Sequence, residues 1–328
     1  MTKTILYLDQ NYISYLTKAR LGIKIYPSVA AYYENLYDAL HEAVKENAAV
    51  CPVSFFHREE SELDPRIAPE LYRTLGELSC GTEFLFWGEI LHRQTERALR
   101  QFLGELGGAM SDSWREAFDE DPQRPCPSPA RSVDNRPIDP LVERTRSIKV
   151  LYERQVEAPV GDLEDQRRVE AMRLIQDFYV RPLENALEGK VDILSRAGLE
   201  FISRLLKLHS QLTQAVTKGA ATEELLDFFT SARFTAVPFA DIYSSLRAAL
   251  VLDRERRTKG SDLNDVSIAA TVLPYVDVFA TDGHIKQLIQ VLGLNRRYNV
   301  RVFGSRKADV LALTSLVEQL GKKPSPGA

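Results

Sequence analysis

Cysteine is scarce: three in 328 residues, Cys51, Cys80 and Cys126, odd in number and scattered. No CxxC pair occurs, which excludes a zinc ribbon, and the spacing offers no disulfide framework. Long apolar runs are lacking too. The longest mostly apolar stretch, 266–281, is broken by Pro274 and Asp277 and is too short to span a bilayer. The opening segment MTKTILYLDQ has neither a long apolar core nor a small-residue cleavage site, so no signal peptide is expected. There is no excess of positive charge: 42 Lys and Arg stand against 46 Asp and Glu, a net −4. That excludes binding of polyanions by overall charge and leaves local patches or metal ions. No internal repeat of fixed period is found. No aromatic RNP-type motif, KH loop or zinc knuckle is present. With 44% hydrophobic and 27% charged residues, the composition is that of a soluble globular chain, and the expectation is an acidic, reduced, cytoplasmic protein.

What is present begins with strand and helix signals. Thr4–Leu8 is a short apolar run ending at Asp9 and reads as a buried strand. A helix pattern follows over 11–19, with Asp9 or Asn11 placed to cap it. A second helix pattern spans 29–46, a second strand 48–54, and a helix start 55–63. This strand–helix–strand–helix order is the grammar of a parallel α/β sheet. The middle differs. A charged helical pattern covers 85–106. Six of the sixteen prolines then fall in 119–141, which reads as an extended loop. Helices are expected over 142–156, 162–188, 191–217 and 223–232. The α/β grammar returns with helices at 241–256 and 262–270, a strand at 276–280, a helix at 284–292 and a strand at 298–303. The expected organisation is therefore a sheet domain in two parts, 1–100 and 235–310. A helical insertion at 101–234 interrupts it, and a C-terminal helix and tail occupy 311–328.

Acids sit where the chain changes direction. Asp9 and Asp282 end strands, Glu59 and Glu60 open a helix, and Asp262 and Asp265 lie three apart on one helix face. In a parallel sheet, strand C-termini and the following helix N-termini share one edge, where ligands bind. Carboxylates gathered there raise one another's pKa, and Mg²⁺ or Mn²⁺ would relieve the conflict through all-oxygen ligation. Such cations activate water and stabilise a leaving oxygen. No Ser–His, Cys–His or lysine nucleophile arrangement of familiar spacing is present as an alternative.

These pieces resemble the PIN-like ribonuclease domain. They are Asp9-Gln10-Asn11 after a strand, Ser54 to Glu60, Asp262-Leu-Asn-Asp265 and the strand closing on Thr281-Asp282. The stretch from Leu273-Pro-Tyr-Val-Asp277 to Asp282 is similar to one branch of that family. The resemblance covers roughly 1–65 and 235–305 and leaves the insertion out. It implies a Rossmann-like parallel sheet and metal-dependent hydrolysis of phosphodiesters, RNA favoured and single-stranded DNA as the other substrate. It also implies that Asp9, Glu60, Asp265 and Asp282 are catalytic metal ligands, with Asp262 an accessory ligand and Glu59 the competing register for Glu60. Asn11 would hold Asp9, and His57 would support the site or simply pack. With a large private insertion, the resemblance implies a regulated prokaryotic-type nuclease, a toxin or an antiphage defence effector, and a possible homodimer.

Two basic stretches flank these acids. Arg254, Arg256, Arg257 and Lys259 run into Asp262, and Arg296, Arg297, Arg301, Arg306 and Lys307 form an acid-free segment. Both can track a phosphate backbone, and both can be ordinary solvated surface. Asp9 and Asp282 can be simple helix caps, and Asp277 a structural acid. The tyrosines Tyr12, Tyr15, Tyr32, Tyr33 and Tyr37 read as packing. Two other readings remain: a non-catalytic scaffold, and a haloacid-dehalogenase-like phosphatase. The phosphatase wants a second acid where Asn11 stands.

Overall fold

The computed structural model of the chain describes residues 2–23, 25–63, 65–104, 113–126, 159–190, 193–213, 218–253 and 260–321. The helix expected over 142–156, residues 127–141 of the proline-rich segment and the basic run 254–259 lie outside them. In chain order the first elements are β1 (Thr4–Leu8), α1 (Gln10–Leu21), α2 (Pro27–Lys45), β2 (Ala49–Val50), α3 (Phe55–Ser61), α4 (Ala68–Ser79) and α5 (Trp87–Phe102). Then come α6 (Leu163–Ile175), a π-helical turn (Gln176–Val180), α7 (Arg181–Leu187), α8 (Ile193–Thr213), α9 (Lys218–Thr230), α10 (Ala232–Thr235), α11 (Pro238–Leu252) and α12 (Gly260–Val272). The chain closes with β3 (Val278–Ala280), α13 (Gly283–Val291), α14 (Leu294–Arg297), β4 (Arg301–Phe303) and α15 (Lys307–Gly321).

The described residues fall into two compact units. One is drawn from Met1–Phe86, Ser113–Pro137 and Val272–Ala328, the other from Trp87–Asp112 and Ile138–Thr271. The expected boundaries at 101 and 235 differ from these. α11 and α12, read from sequence as part of the sheet domain, group with the helical unit.

The first unit is built on a four-stranded parallel sheet in the order β2-β1-β3-β4. Strands buried on both faces must be apolar throughout, and β1 and β3 are: Leu6, Tyr7, Val278, Phe279 and Ala280 have no exposure. The register pairs Leu6 with Val278, Leu8 with Ala280, and Ala280 with Phe303. α1 ends at Gly22, whose φ of +64° places it in the left-handed region. Its N–H and that of Ile23 return to Ala19 and Lys18 carbonyls, the closure a glycine permits without Cβ strain.

The second strand is shorter than the expected 48–54. Only Ala49 and Val50 pair with β1. Pro52 carries no N–H, and the chain turns to the 78–84 segment instead. Cys51 N–H donates to Leu78, and Val53 exchanges bonds with Thr82 and Phe84. The sequence pattern does not announce α4, because Pro69 in its first turn and Gly76 within it mask its helical spacing. A further correction concerns the cysteines. Cys80 and Cys126 form a disulfide with Cα atoms 5.1 Å apart. Spacing along the chain could not reveal it, since the two cysteines, 46 positions apart, are brought together only by folding. Cys80 itself adopts a left-handed φ of +53° at the end of α4.

The second unit is all-helical among the described residues. α6 and α11 pack along each other. The half-buried rings of Trp87 and Phe178 meet each other, and Trp87 stacks on the buried Phe239; a buried Glu170 accepts from Gln166 and Arg173. No helix among the described residues is long and apolar enough to cross a membrane.

Candidate functional site

The strand order defines a special point on the sheet. From β1 the chain moves outward to β2, and from β3 it moves outward the opposite way to β4. β1 and β3 are neighbours, so the connections part company between them. In open parallel sheets, the crevice outside the carboxyl ends of such a strand pair is where ligands bind. The residue after β1 is Asp9. Two residues after β3 is Asp282.

The two strand ends are stitched together. Asp9 N–H donates to the Ala280 carbonyl at 2.9 Å, and Thr281 N–H to Phe303 at 2.9 Å. The Thr281 hydroxyl donates to Asp9 Oδ2 at 3.1 Å, while Asn11 N–H donates to Asp9 Oδ1 at 2.6 Å. Asp282 N–H adds a further bond to the Asp9 carboxylate. Asp282 caps α13, with His284 N–H at 2.5 Å and Ile285 N–H at 3.0 Å. Both cap bonds land on Oδ1, so Oδ2 takes no part in the cap. Capping and ligand duty are therefore compatible in both residues: a carboxylate offers about four lone-pair sites.

Asp9 is 3% exposed, and burial is the main cause pushing its carboxyl up to about 6. The hydrogen bonds from Asn11, Thr281 and Asp282 pull the other way, and the nearby Asp282 charge adds to the rise. Among the described residues no cation contributes to this shift, so a counter-charge placed beside Asp9 would be strongly favoured.

The other expected residues fall as follows. Asn11 meets Asp9 through its backbone N–H, and its side chain is exposed. His57 is 1% exposed and both ring nitrogens are used. Nδ1 accepts from Ser54 N–H at 3.1 Å, and Nε2 donates to the Leu8 carbonyl at 2.7 Å. It stacks on Tyr7, and burial lowers its pKa to about 4. His57 thus ties the start of α3 to the end of β1 as a neutral ring, with both nitrogens spent on the backbone. Glu59 is buried and Glu60 half-buried on α3. The α3 residue Ser61 accepts from Gln10 at 3.0 Å, which seats the end of α3 against the start of α1. Asp262, 2% exposed, and Asp265, half-buried, sit on α12 of the other unit. Among the described residues no group of three or more His, Cys, Asp or Glu is gathered to hold a metal ion.

The basic residues separate by sheet edge. Arg296 and Arg297 on α14 lead into Arg301, which pairs with Val278 at the amino end of β3. These exposed cations thus lie at the edge opposite Asp9 and Asp282. Asp277 is at that amino edge as well, accepting from Ile5 N–H at 2.8 Å, a structural role. Arg306 and Lys307, by contrast, follow the carboxyl end of β4 and are exposed. Arg254, Arg256, Arg257 and Lys259 are outside the described residues.

Sequence reasoning gave no individual role to three participants. Thr281 stands in the sequence as the neighbour of Asp282, yet its hydroxyl holds Asp9. Lys286, one turn after Asp282, pairs with Asp309 of α15 at 2.5 Å. Gly304 lets β4 end against them: a Cβ there would meet Asp309 Oδ2 at 2.9 Å and Lys286 Cδ at 3.2 Å. A Thr-Asp pair after a strand signals the first. Nothing local signals the other two.

No protein-family model, curated protein or solved structure matches the chain.

Proposed function

We propose that the chain is a metal-dependent nuclease with a PIN-like sheet domain, hydrolysing phosphodiester bonds of RNA in preference to single-stranded DNA. The observation that carries this is the pair of carboxylates, Asp9 and Asp282, on either side of the point where the sheet connections diverge. The donor set fits Mg²⁺ or Mn²⁺: hard oxygen ligands, with one or two carboxylates sufficing when waters and substrate phosphate complete the shell. A bound divalent cation would supply Lewis-acid charge and an activated water at neutral pH.

The residues of the chain do the rest. Thr281 and the Asn11 and Asp282 amides hold the Asp9 carboxylate in one orientation. The N-termini of α1 and α13 open at the same edge, and their dipoles favour a phosphate there. Glu60 is the third acid of the reading, and Asp265 with Asp262 completes it. Their part rests on the sequence resemblance. A toxin or defence role and a homodimer belong to the same reading.

The test is incubation with end-labelled single-stranded RNA and DNA in Mg²⁺ or Mn²⁺, with chelator lanes and an Asp9→Asn/Asp282→Asn variant. Cleavage of RNA that disappears in both controls is expected, and Asp265→Asn and Glu60→Gln should each lower the rate at least tenfold. Cleavage that persists in the double variant, or no metal binding by calorimetry, would overturn the proposal.

A further inference from the structure

Tyrosines run from the Asp9 edge to the surface. Tyr12, one turn after Asp9, is fully buried, and its hydroxyl donates to the Gly304 carbonyl at 2.5 Å. Its ring meets Tyr33 edge-on, centroids 5.9 Å apart at 72°. Tyr33 of α2, 1% exposed, is near enough to Asp9 to feel its charge. Tyr15, one turn beyond Tyr12, stacks on Tyr33 at 4.9 Å and 17°. Tyr32 leans on the same ring at 5.1 Å and 37°. The two outer rings are not buried: Tyr15 is 38% exposed and Tyr32 half-buried. Packing alone accounts for Tyr12 and Tyr33. It does not call for two further aromatic faces at the surface, preorganised against a rigid third ring.

We propose that Tyr15 and Tyr32 form a base-stacking platform, so that the chain takes single-stranded nucleic acid with unpaired bases seated beside the catalytic edge. The inference rests on the nuclease reading for the position of the scissile phosphate. Exposed bases stack on aromatic side chains without regard to sequence, whereas the bases of a duplex have no free faces to offer. The cations that the backbone needs are at hand. Tyr12 is bonded to the turn between β4 and α15, and two residues beyond Gly304 the exposed Arg306 and Lys307 begin. α15 packs along α2, the helix that carries Tyr32 and Tyr33. Rings and cations thus border the same edge as Asp9 and Asp282. Asn11, exposed between Asp9 and Tyr12, adds a polar side chain on the way.

The experiment is fluorescence anisotropy with a short labelled oligouridylate and with an RNA duplex of equal length, on full-length Asp9→Asn protein, which retains substrate uncut. Tyr15→Leu and Tyr32→Leu should each raise Kd roughly tenfold, while Tyr15→Trp and Tyr32→Phe keep the affinity. The duplex should bind more weakly than the single strand. Melting temperatures check that the leucine variants fold, and the aromatic variants guard against a packing defect. Unchanged affinity in both leucine variants, equal binding of the duplex, or no oligonucleotide binding at all would overturn the platform. Tyrosine-dependent binding by a wild-type protein that cuts nothing would sink the nuclease reading and leave the platform standing.

Discussion

Asp9 answers two demands that move its proton in opposite directions. Burial raises its carboxyl from 3.8 to about 6, and hydrogen bonds from Asn11 and Thr281 oppose the rise. The folded-state pKa is the higher one, so the folded protein binds this proton more tightly than the unfolded chain does. The penalty is therefore absent below about pH 4, grows between pH 4 and 6, and is complete above 6. Its size is on the order of 3 kcal/mol. In chelator at pH 7.5, Asp9→Asn should raise the melting temperature, and the gain should vanish as the pH falls below about 4. Added Mg²⁺ should raise the melting temperature of the wild type and leave that of the variant unmoved. Thermal melts over a pH series read both effects, and a variant less stable than wild type at pH 7.5 would contradict the argument. The neighbouring His57 shows why residue type alone misleads. A histidine one turn before Glu60 looks available for a ligand, but it spends both nitrogens on Ser54 and Leu8.

Among the elements, the segment 113–126 has little regular structure, a 3₁₀ helix at Ser113–Glu116, a turn at 121–124 and one bridge from Phe118 to Phe84, yet it is held firmly. Gln123 exchanges bonds with the Lys3 backbone at 2.6 and 3.2 Å. Cys126 N–H reaches Asn47 at 2.9 Å, and its sulfur joins Cys80 at the end of α4. The cross-link lies 46 residues apart and should contribute about 4 kcal/mol by restricting the unfolded chain. Cys51 is buried, and desolvation pushes its thiol up to about 12. Thiol titration should therefore find none in the native protein, one after denaturation without reductant and three after reduction. Cys126→Ser should melt earlier than the oxidised wild type and at about the temperature of the reduced one. Three reactive thiols in freshly denatured, unreduced protein would refute the pairing. Such a bond is at odds with the expectation of a fully reduced chain, because cytosolic thiols are kept open.

At the scale of the whole molecule, the sheet is assembled from distant pieces. β1 and β2 come from the first 50 residues, β3 and β4 from beyond residue 277. β1 pairs on one side with β3 through three residues and on the other with β2 through two. A fragment of residues 1–86 thus keeps only the weaker pairing and loses the neighbour that covers the other edge of β1. Expressed alone, it should show no cooperative urea transition by far-UV circular dichroism. The same fragment supplemented with 272–321 should regain one. A cooperative transition in the first fragment by itself would show that β3 is dispensable.

The chain order of strands and helices was legible from the sequence, because the period of apolar residues and the capping acids act within a few residues. Thr4–Leu8 followed by Asp9, and Val278–Ala280 followed by Thr281 and Asp282, announce buried strands ending in carboxylates. β2 was overread and α4 missed for equally local reasons, a proline in each. Which strands become neighbours was decided only in three dimensions. So were the Thr281 hydroxyl on a carboxylate 272 residues away, the Cys80–Cys126 pair, the sorting of basic residues between the two sheet edges, and the grouping of Asp262 and Asp265 with the helical unit. These are non-local contacts, chosen by how buried faces and unpaired backbone groups find partners when the chain closes on itself. No short window of sequence carries that information.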